Sequence, residues 1–323
     1  MNNIQVIGLG ALNMDYLYRV ERILSDGEAV VKDVTTSPGG SAANTVYGLA
    51  KLGVKTGFGG VVGDDSDGQS LIQDFQSVGV DTGRVKIKKD SRSGAVLCLT
   101  DSPGKRSLYV SPGANSLLTM DDLDMDYLNQ AQVLHLTSFA NEAQFQISLE
   151  LVARLKPSLK LSFSPGALYA VKKLHALEPI LKRTHILFVN HREITQIAGK
   201  HMVAAAETCL ELGCKIVVVT LGKGRKLELS TGTINAVCYI RDTGKEYGVD
   251  SHSETARQVD ATGAGDAFAA GFLYGFLNGR QMLECGWLGD TIARFVIAKV
   301  GTRPGYPSLA ELTKRYRELY EPL

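Results

Sequence analysis

The stretch Asp260-Ala261-Thr262-Gly263-Ala264-Gly265-Asp266 sets two carboxylates around a run of tiny residues, directly ahead of the apolar segment AFAAGFLYGFL at 267–277. Small residues let consecutive backbone N–H groups converge without obstruction, and a following helix adds unsatisfied amides and the positive end of its dipole. Such a turn suits a phosphoryl group that gains negative charge during transfer. Asp266 has two readings. It caps the helix, the commonest use of Asp at that point, or it accepts the proton of an attacking hydroxyl. The segment behind it has little polar face, so the helix presents an end rather than a side to solvent. That favours the second reading.

Other residues offer compatible chemistry. Asp15 and Asn44, a carboxylate and an amide, together supply acceptors and donors for a diol; the plain alternatives are a turn carboxylate and a polar residue in a first helical turn. Asn190 and Glu193, three apart after an apolar run, have the spacing of a helix capping box. Thr220, Gly222 and Gly224 close the run KIVVVTLG, at the strand end where ligands of α/β sheets bind, or simply form a glycine turn. Lys105 and Arg106 could meet a ligand phosphate, but a solvated hairpin tip is the plainer reading, since edge strands carry Lys to block pairing. Commoner phosphate motifs are excluded. In Gly8-Leu9-Gly10-Ala11-Leu12-Asn13 the third glycine of a dinucleotide turn is replaced by Asn13, and the next segment looks like strand. No Gly-Lys pair is followed by Ser or Thr, so there is no P-loop, and neither H-E-x-x-H nor G-x-S-x-G occurs.

The elements that must position these residues alternate. Strands are expected at 4–9, 56–62, 133–138, 159–164, 185–190 and 215–222, with amphipathic helices between them, among them 41–52 and 69–78, each stopped by a glycine. Strands apolar on both faces indicate a parallel sheet covered on both sides by helices. Two stretches break the rhythm. Residues 16–37 and 94–110 read as antiparallel strands, and a small separate sheet made of them would cover a ligand crevice. Tyr16 and Tyr18 there would either stack on a nucleobase or pack the small sheet. Residues 309–320 read as a surface helix.

Bulk properties restrict the partners. The chain has 323 residues and a formal charge of +1, so it offers no general attraction for nucleic acid or an anionic membrane. Five cysteines, an odd number with no C-x-x-C, argue against a disulfide framework or zinc site. No leader-like segment opens the sequence, and 267–277 is too short to span a bilayer. A cytoplasmic protein is expected.

The sequence resembles the ribokinase-like, or PfkB, family of sugar and nucleoside kinases. The residues that carry the resemblance are Asp260 to Asp266 and the run Gly39-Gly40-Ser41-Ala42-Ala43-Asn44. Between and around them, in the family's order, stand Asn13-Met14-Asp15, Gly63-x-Asp65-x-x-Gly68, Pro112-Gly113-Ala114-Asn115, Asn190-x-x-Glu193 and Thr220-Leu221-Gly222-x-Gly224. The resemblance implies one three-layer α/β domain over 1–323, with a mostly parallel central sheet and a β lid at about 14–38 and 94–111. It implies ATP-dependent transfer of the γ-phosphoryl group to a primary hydroxyl of a sugar, or of a nucleoside. Asp266 would be the general base, and Gly263, Ala264 and Gly265 the anion hole. Asn13, Asp15, Gly39, Gly40 and Asn44 would hold the acceptor. Asn190, Glu193, Thr220, Gly222 and Gly224 would lie by the nucleotide, with Glu193 acting on Mg2+ through water. In some members K+ binds near groups resembling Asp260, Thr262 and the segment 300–305. A homodimer through the lid edge would result from exposed edge strands. Where ribokinases proper place a glutamate after a strand like 133–138, Thr137 and Ser138 stand here, which weakens a strict ribose assignment. A sensor that keeps the fold without catalysis is the reading from another class.

Overall fold

Because the short runs are apolar on both faces, they are buried only when helices cover them from two sides. The computed structural model describes residues 4–102, 106–230, 232–250 and 258–320. In chain order it begins with β1 (Val6–Leu9), β2 (Asn13–Val20), β3 (Val31–Gly39), α1 (Ser41–Lys51), β4 (Thr56–Gly63), α2 (Ser66–Ser77), β5 (Val85–Lys88), β6 (Gly94–Thr100) and β7 (Arg106–Ser111). It continues with α3 (Met125–Leu128), β8 (Val133–Thr137), α4 (Glu142–Arg154), β9 (Lys160–Ser164), α5 (Gly166–Ala170), α6 (Lys173–Arg183) and β10 (Thr184–Asn190). Last come α7 (His191–Ala198), α8 (Met202–Leu212), β11 (Ile216–Leu229), β12 (Gly232–Asp242), β13 (Glu246–Asp250), α9 (Ala264–Leu277), α10 (Met282–Ile297) and α11 (Leu309–Tyr320).

Nine strands form the central sheet in the order β13-β12-β11-β10-β9-β8-β1-β4-β5. Pairing is parallel from β11 to β5, and antiparallel where β12 joins β11 and β13. Side chains alternate across it. Val217 and Val219 of β11 enter a core with Phe145 of α4, Leu177 of α6 and Ile194 of α7. Ile216 and Val218 enter a second core with Val46 of α1, Phe272 of α9 and Ile292 of α10. The three-layer α/β architecture read from the sequence is therefore present. Its antiparallel edge and α10 were not foreseen. α9 and α10 pack so closely that a Cβ on Gly271 would lie 2.4 Å from the Leu288 carbonyl oxygen.

The second sheet has four strands in the order β3-β2-β6-β7. Two antiparallel hairpins, β2–β3 and β6–β7, join through parallel β2 and β6. Register fixes its faces. Asp15 pairs with Ser37 and Val96, and Val96 with Val110, so these share one face. Tyr16 pairs with Leu97, and Leu97 with Tyr109, on the opposite face. There Tyr16 and Tyr18 line a groove of about 370 Å³, and the Tyr16 hydroxyl donates to Asp67 at 2.6 Å. The two tyrosines pack the small sheet; they do not share the face of Asp15.

Two of the sequence patterns are fastenings. Asp65 caps α2 by accepting from the Gly68 amide at 2.8 Å, and it also accepts from the Ser93 amide at 2.8 Å and hydroxyl at 2.6 Å. Burial disfavours its charge, but those bonds outweigh burial and hold its pKa below the ordinary value. Asn115 accepts from the Leu12 amide at 3.0 Å and donates to Leu12 O and to Asn13 Oδ1, at 3.2 and 2.9 Å. It thereby pins the β1–β2 corner from which Asn13 and Asp15 project.

Candidate active site

α1 begins at Gly40, φ 101°, with no side-chain cap of its own. Instead Thr137, at the end of β8, accepts from the Ala42 amide at 3.3 Å. The departure from a glutamate at this strand end thus has a structural use: the Thr137 hydroxyl docks the first turn of α1. That turn carries Ser41, Asn44 and Thr45.

α9 begins at Gly263, whose φ is 76°. This left-handed conformation favours glycine, and a Cβ there would also press to 3.1 Å on the Thr302 side chain. No side chain caps the helix, so the capping reading of Asp266 fails. Its carboxylate turns to α1 instead. Ser41 Oγ donates to Asp266 Oδ1 at 2.6 Å, Asn44 Nδ2 donates to Oδ2 at 2.8 Å, and the Thr45 hydroxyl reaches the Asp266 carbonyl at 3.3 Å. Gly265 is exposed and Gly263, Ala264 and Asp266 are partly so, which leaves the turn accessible to a ligand, while the Ala264 amide donates to the Ala261 carbonyl at 3.3 Å.

Asp15 is 8% exposed at the start of the small sheet. A Cβ on Gly39 would lie 2.3 Å from its Oδ2, so only glycine leaves this carboxylate its place. Burial pushes Asp15 up to about 7, Arg303 opposes that, and Asp266 and Asp260 add to it. Burial likewise pushes Asp266 up to about 6, against the bonds from Ser41 and Asn44; Glu193 raises it further and Arg303 lowers it. Asp15 and Asp266 are therefore close enough to feel each other's charge.

Arg303 was missed in the sequence, where a lone Arg between Thr302 and Pro304 matches no spacing. It is 3% exposed. Its guanidinium lies 5.0 Å from the ring centroids of both Tyr47 and Phe75 and pairs with Asp74 of α2. Nε donates to Asn44 Oδ1 at 3.3 Å and NH2 to the Gly39 carbonyl at 3.4 Å. Ser41 was also missed as a site residue, although its position inside the Gly39–Asn44 run was the available signal.

Asn190 and Glu193 form a capping box on α7. Asn190 Oδ1 accepts from the Arg192 and Glu193 amides at 2.9 Å each, and Glu193 Oε2 accepts from the Asn190 amide at 2.8 Å. Burial raises the Glu193 pKa, and its charge reaches Asp266. Asn190 pairs with Thr220 on β11. Gly222 and Gly224 follow at φ 67° and 99°, where β11 slips register against β12 between Thr220 and Arg225. Asn190 ends β10, but Thr220, Gly222 and Gly224 lie within β11 at this slip, because the strand runs on to Leu229 instead of closing at 222.

The donor set can be tested for cations. Among the described residues no three His, Cys, Asp or Glu side chains gather into a metal cage. A carboxylate such as Glu193, acting through water, fits magnesium that arrives on phosphate oxygens and keeps its own waters. Asp260 does not fit a monovalent cation equally well. Its Oδ1 accepts from the Thr262 amide at 2.9 Å, the Thr262 hydroxyl at 2.7 Å and Arg106 at 3.2 Å, and its Oδ2 from the Gly301 amide at 3.1 Å. Protons point at this carboxylate from each of these partners. Arg106, which comes from β7, also meets the Thr262 hydroxyl; it is not a solvated tip. Lys105 lies outside the described residues.

A family model described as pfkB family carbohydrate kinase matches residues 3–309. The chain belongs to the PfkB family. It is 39% identical over 261 residues to an uncharacterized sugar kinase of Archaeoglobus fulgidus, covering 80% of this PfkB chain and 98% of that protein. It is 26% identical over 320 residues to a nucleoside kinase of Methanothermobacter thermautotrophicus, covering 98% and 97%. The fold matches that of an Arabidopsis thaliana ribokinase complexed with ribose and ATP at a TM-score of 0.81, with 24% identity over 97% of this chain and 99% of the other. As a PfkB kinase of sugars or nucleosides, the protein is a phosphotransferase with an alcohol group as acceptor.

Proposed function

We propose that the protein transfers the γ-phosphoryl group of ATP to a primary hydroxyl of a sugar. The observation that carries this reading is Asp266, held at the first turn of α9 by Ser41 and Asn44, beside an open amide turn and within electrostatic reach of Asp15. Asp266 takes the proton of the acceptor hydroxyl as its oxygen attacks the γ-phosphorus; the bond to the bridging oxygen breaks and ADP leaves. A carboxyl displaced toward neutrality suits a general base. Charge on the transferred oxygens falls on the amides of Gly263, Ala264 and Gly265 and on the dipole of α9. Asn13, Asp15, Gly39 and Gly40 hold the acceptor. Glu193 would orient the waters of a magnesium ion bound with the nucleotide, an ion that would neutralise phosphate charge. The small sheet acts as a lid that keeps water from competing as acceptor.

A second reading, nucleoside phosphorylation, is favoured by the lid face around Asp15. Leu17, Val96, Leu108 and Val110 lie on it, Leu108 and Val110 being 53% and 44% exposed, an apolar surface that a flat base would cover. ADP release measured over a panel of sugars and nucleosides tests both readings. Turnover should require one class of acceptor. A ligand that raises the melting temperature without any ADP release would show a sensor instead.

A further inference from the structure

The carboxylate of Asp260 lies three residues before the amide turn and would repel an incoming phosphate unless something neutralised it. The structure supplies a candidate from another part of the fold. Arg106 opens β7 of the small sheet and pairs in register with Thr100, which pairs with Arg19, so it stands on the same sheet face as Asp15. From there its guanidinium reaches Asp260 Oδ1 at 3.2 Å and the Thr262 hydroxyl. The pair is mostly covered, with 32% of the Arg106 side chain and 14% of the Asp260 side chain exposed. Asp260 takes its remaining bonds from amides and a hydroxyl, all donors.

We infer that Arg106 is the resident cation of the anion turn: it holds Asp260 neutralised in place of a monovalent metal ion, and it delivers that charge only when the small sheet is down. The geometry has two consequences. Turnover is independent of potassium, because the carboxylate that would hold the ion is already met by a guanidinium. The electrostatics of the turn are also coupled to lid position, since the charge travels on β7. An arginine suits this use because its charge is permanent, and one guanidinium nitrogen meets both the carboxylate and the neighbouring hydroxyl.

The inference rests on the phosphotransfer reading above, and the test separates the two. The full chain and its Arg106→Gln and Arg106→Lys variants are compared in potassium, sodium and tetramethylammonium chloride at one ionic strength, by ADP release and by thermal melting. Wild-type turnover should agree within about twofold across the salts, since general screening is then equal, and its melting temperature should not respond to potassium. Arg106→Gln should lose about tenfold or more in tetramethylammonium, the scale of one preorganised charge at a reacting phosphate, and should recover severalfold in potassium. Arg106→Lys should lie between it and wild type. Wild-type turnover several times higher in potassium than in tetramethylammonium, or a potassium-specific rise in wild-type melting temperature, overturns the assignment. So does Arg106→Gln with undiminished turnover, or with a loss that potassium does not restore, which would leave Arg106 a docking contact of the lid. No turnover with any acceptor defeats the phosphotransfer reading instead, and the melting comparison on the wild type still decides the role of Arg106.

Discussion

Asn44 donates its side-chain amide to the Asp266 carboxylate at 2.8 Å, across 222 positions of the chain. The direction of this bond is imposed from behind. Arg303 donates to Asn44 Oδ1 at 3.3 Å, so the amide nitrogen must face Asp266. The first turns of α1 and α9 are thereby locked together at the Asp266 carboxylate. One N–H of Asn44 is thereby committed to Asp266, and its second N–H remains available to an acceptor hydroxyl.

Asp266→Asn separates catalysis from folding. Turnover should fall about 10²-fold or more, the scale of a general base. Folding should not suffer at pH 8. The raised pKa means that the folded protein binds this proton more tightly than the unfolded chain does. The associated stability is therefore complete below the ordinary value of 3.8 and is lost as pH rises through about 6. Removing the charge relieves that loss. Melting curves should place Asp266→Asn level with or above wild type at pH 8, with the advantage gone by pH 4.

The same pKa displacements set the acid limb of activity. Asp266 at about 6 and Asp15 at about 7 are both carboxylates only above those values. A profile of kcat/KM should therefore rise between pH 6 and 7 rather than near 4, where an ordinary aspartate titrates. A limb at 4 would show that neither carboxyl limits the reaction.

Arg303→Met removes the guanidinium that lies over the Tyr47 and Phe75 rings and leaves Asp74 without its partner. Because the Asp74 side chain stays 23% exposed, the cost should fall below the roughly 3–5 kcal/mol of a fully buried broken pair, and it is readable in urea denaturation. The double variant Arg303→Met with Asp74→Leu should regain most of that stability. Its turnover should stay about tenfold or more below wild type, because Asn44 is no longer oriented. Full recovery of turnover would confine Arg303 to a packing role.

Glu193→Gln distinguishes the capping box from the metal. Glutamine serves in such a box as glutamate does, so the melting temperature should hold. The magnesium concentration needed for half-maximal turnover should rise severalfold, since a neutral amide orients hydrated magnesium less well than a carboxylate. An unchanged magnesium response would leave Glu193 only its cap.

Much of this protein was written in local pattern. Apolar runs such as 216–219 must be buried on both sides, which requires helices above and below and so fixes three layers. The run Gly263 to Gly265 carries nothing larger than one methyl group to block a ligand's approach to its backbone. Asp266 follows from its place beside that turn. What packing alone decided has a common cause: it depends on which side chains meet across long stretches of chain. Arg303 sits in no repeat or spacing, and only the approach of α2, α1 and the segment after α10 gives it Asp74, Asn44 and two rings. Alternation along β2 already puts Tyr16 and Tyr18 opposite Asp15; the fold decided that the Asp15 face is the one turned toward Asp260 and Asp266. Arg106 looked like a solvated hairpin charge until the small sheet brought it over Asp260. Burial and backbone geometry are properties of neighbouring residues and are legible in order; the partner of a charge is a property of the folded surface that finally closes around it.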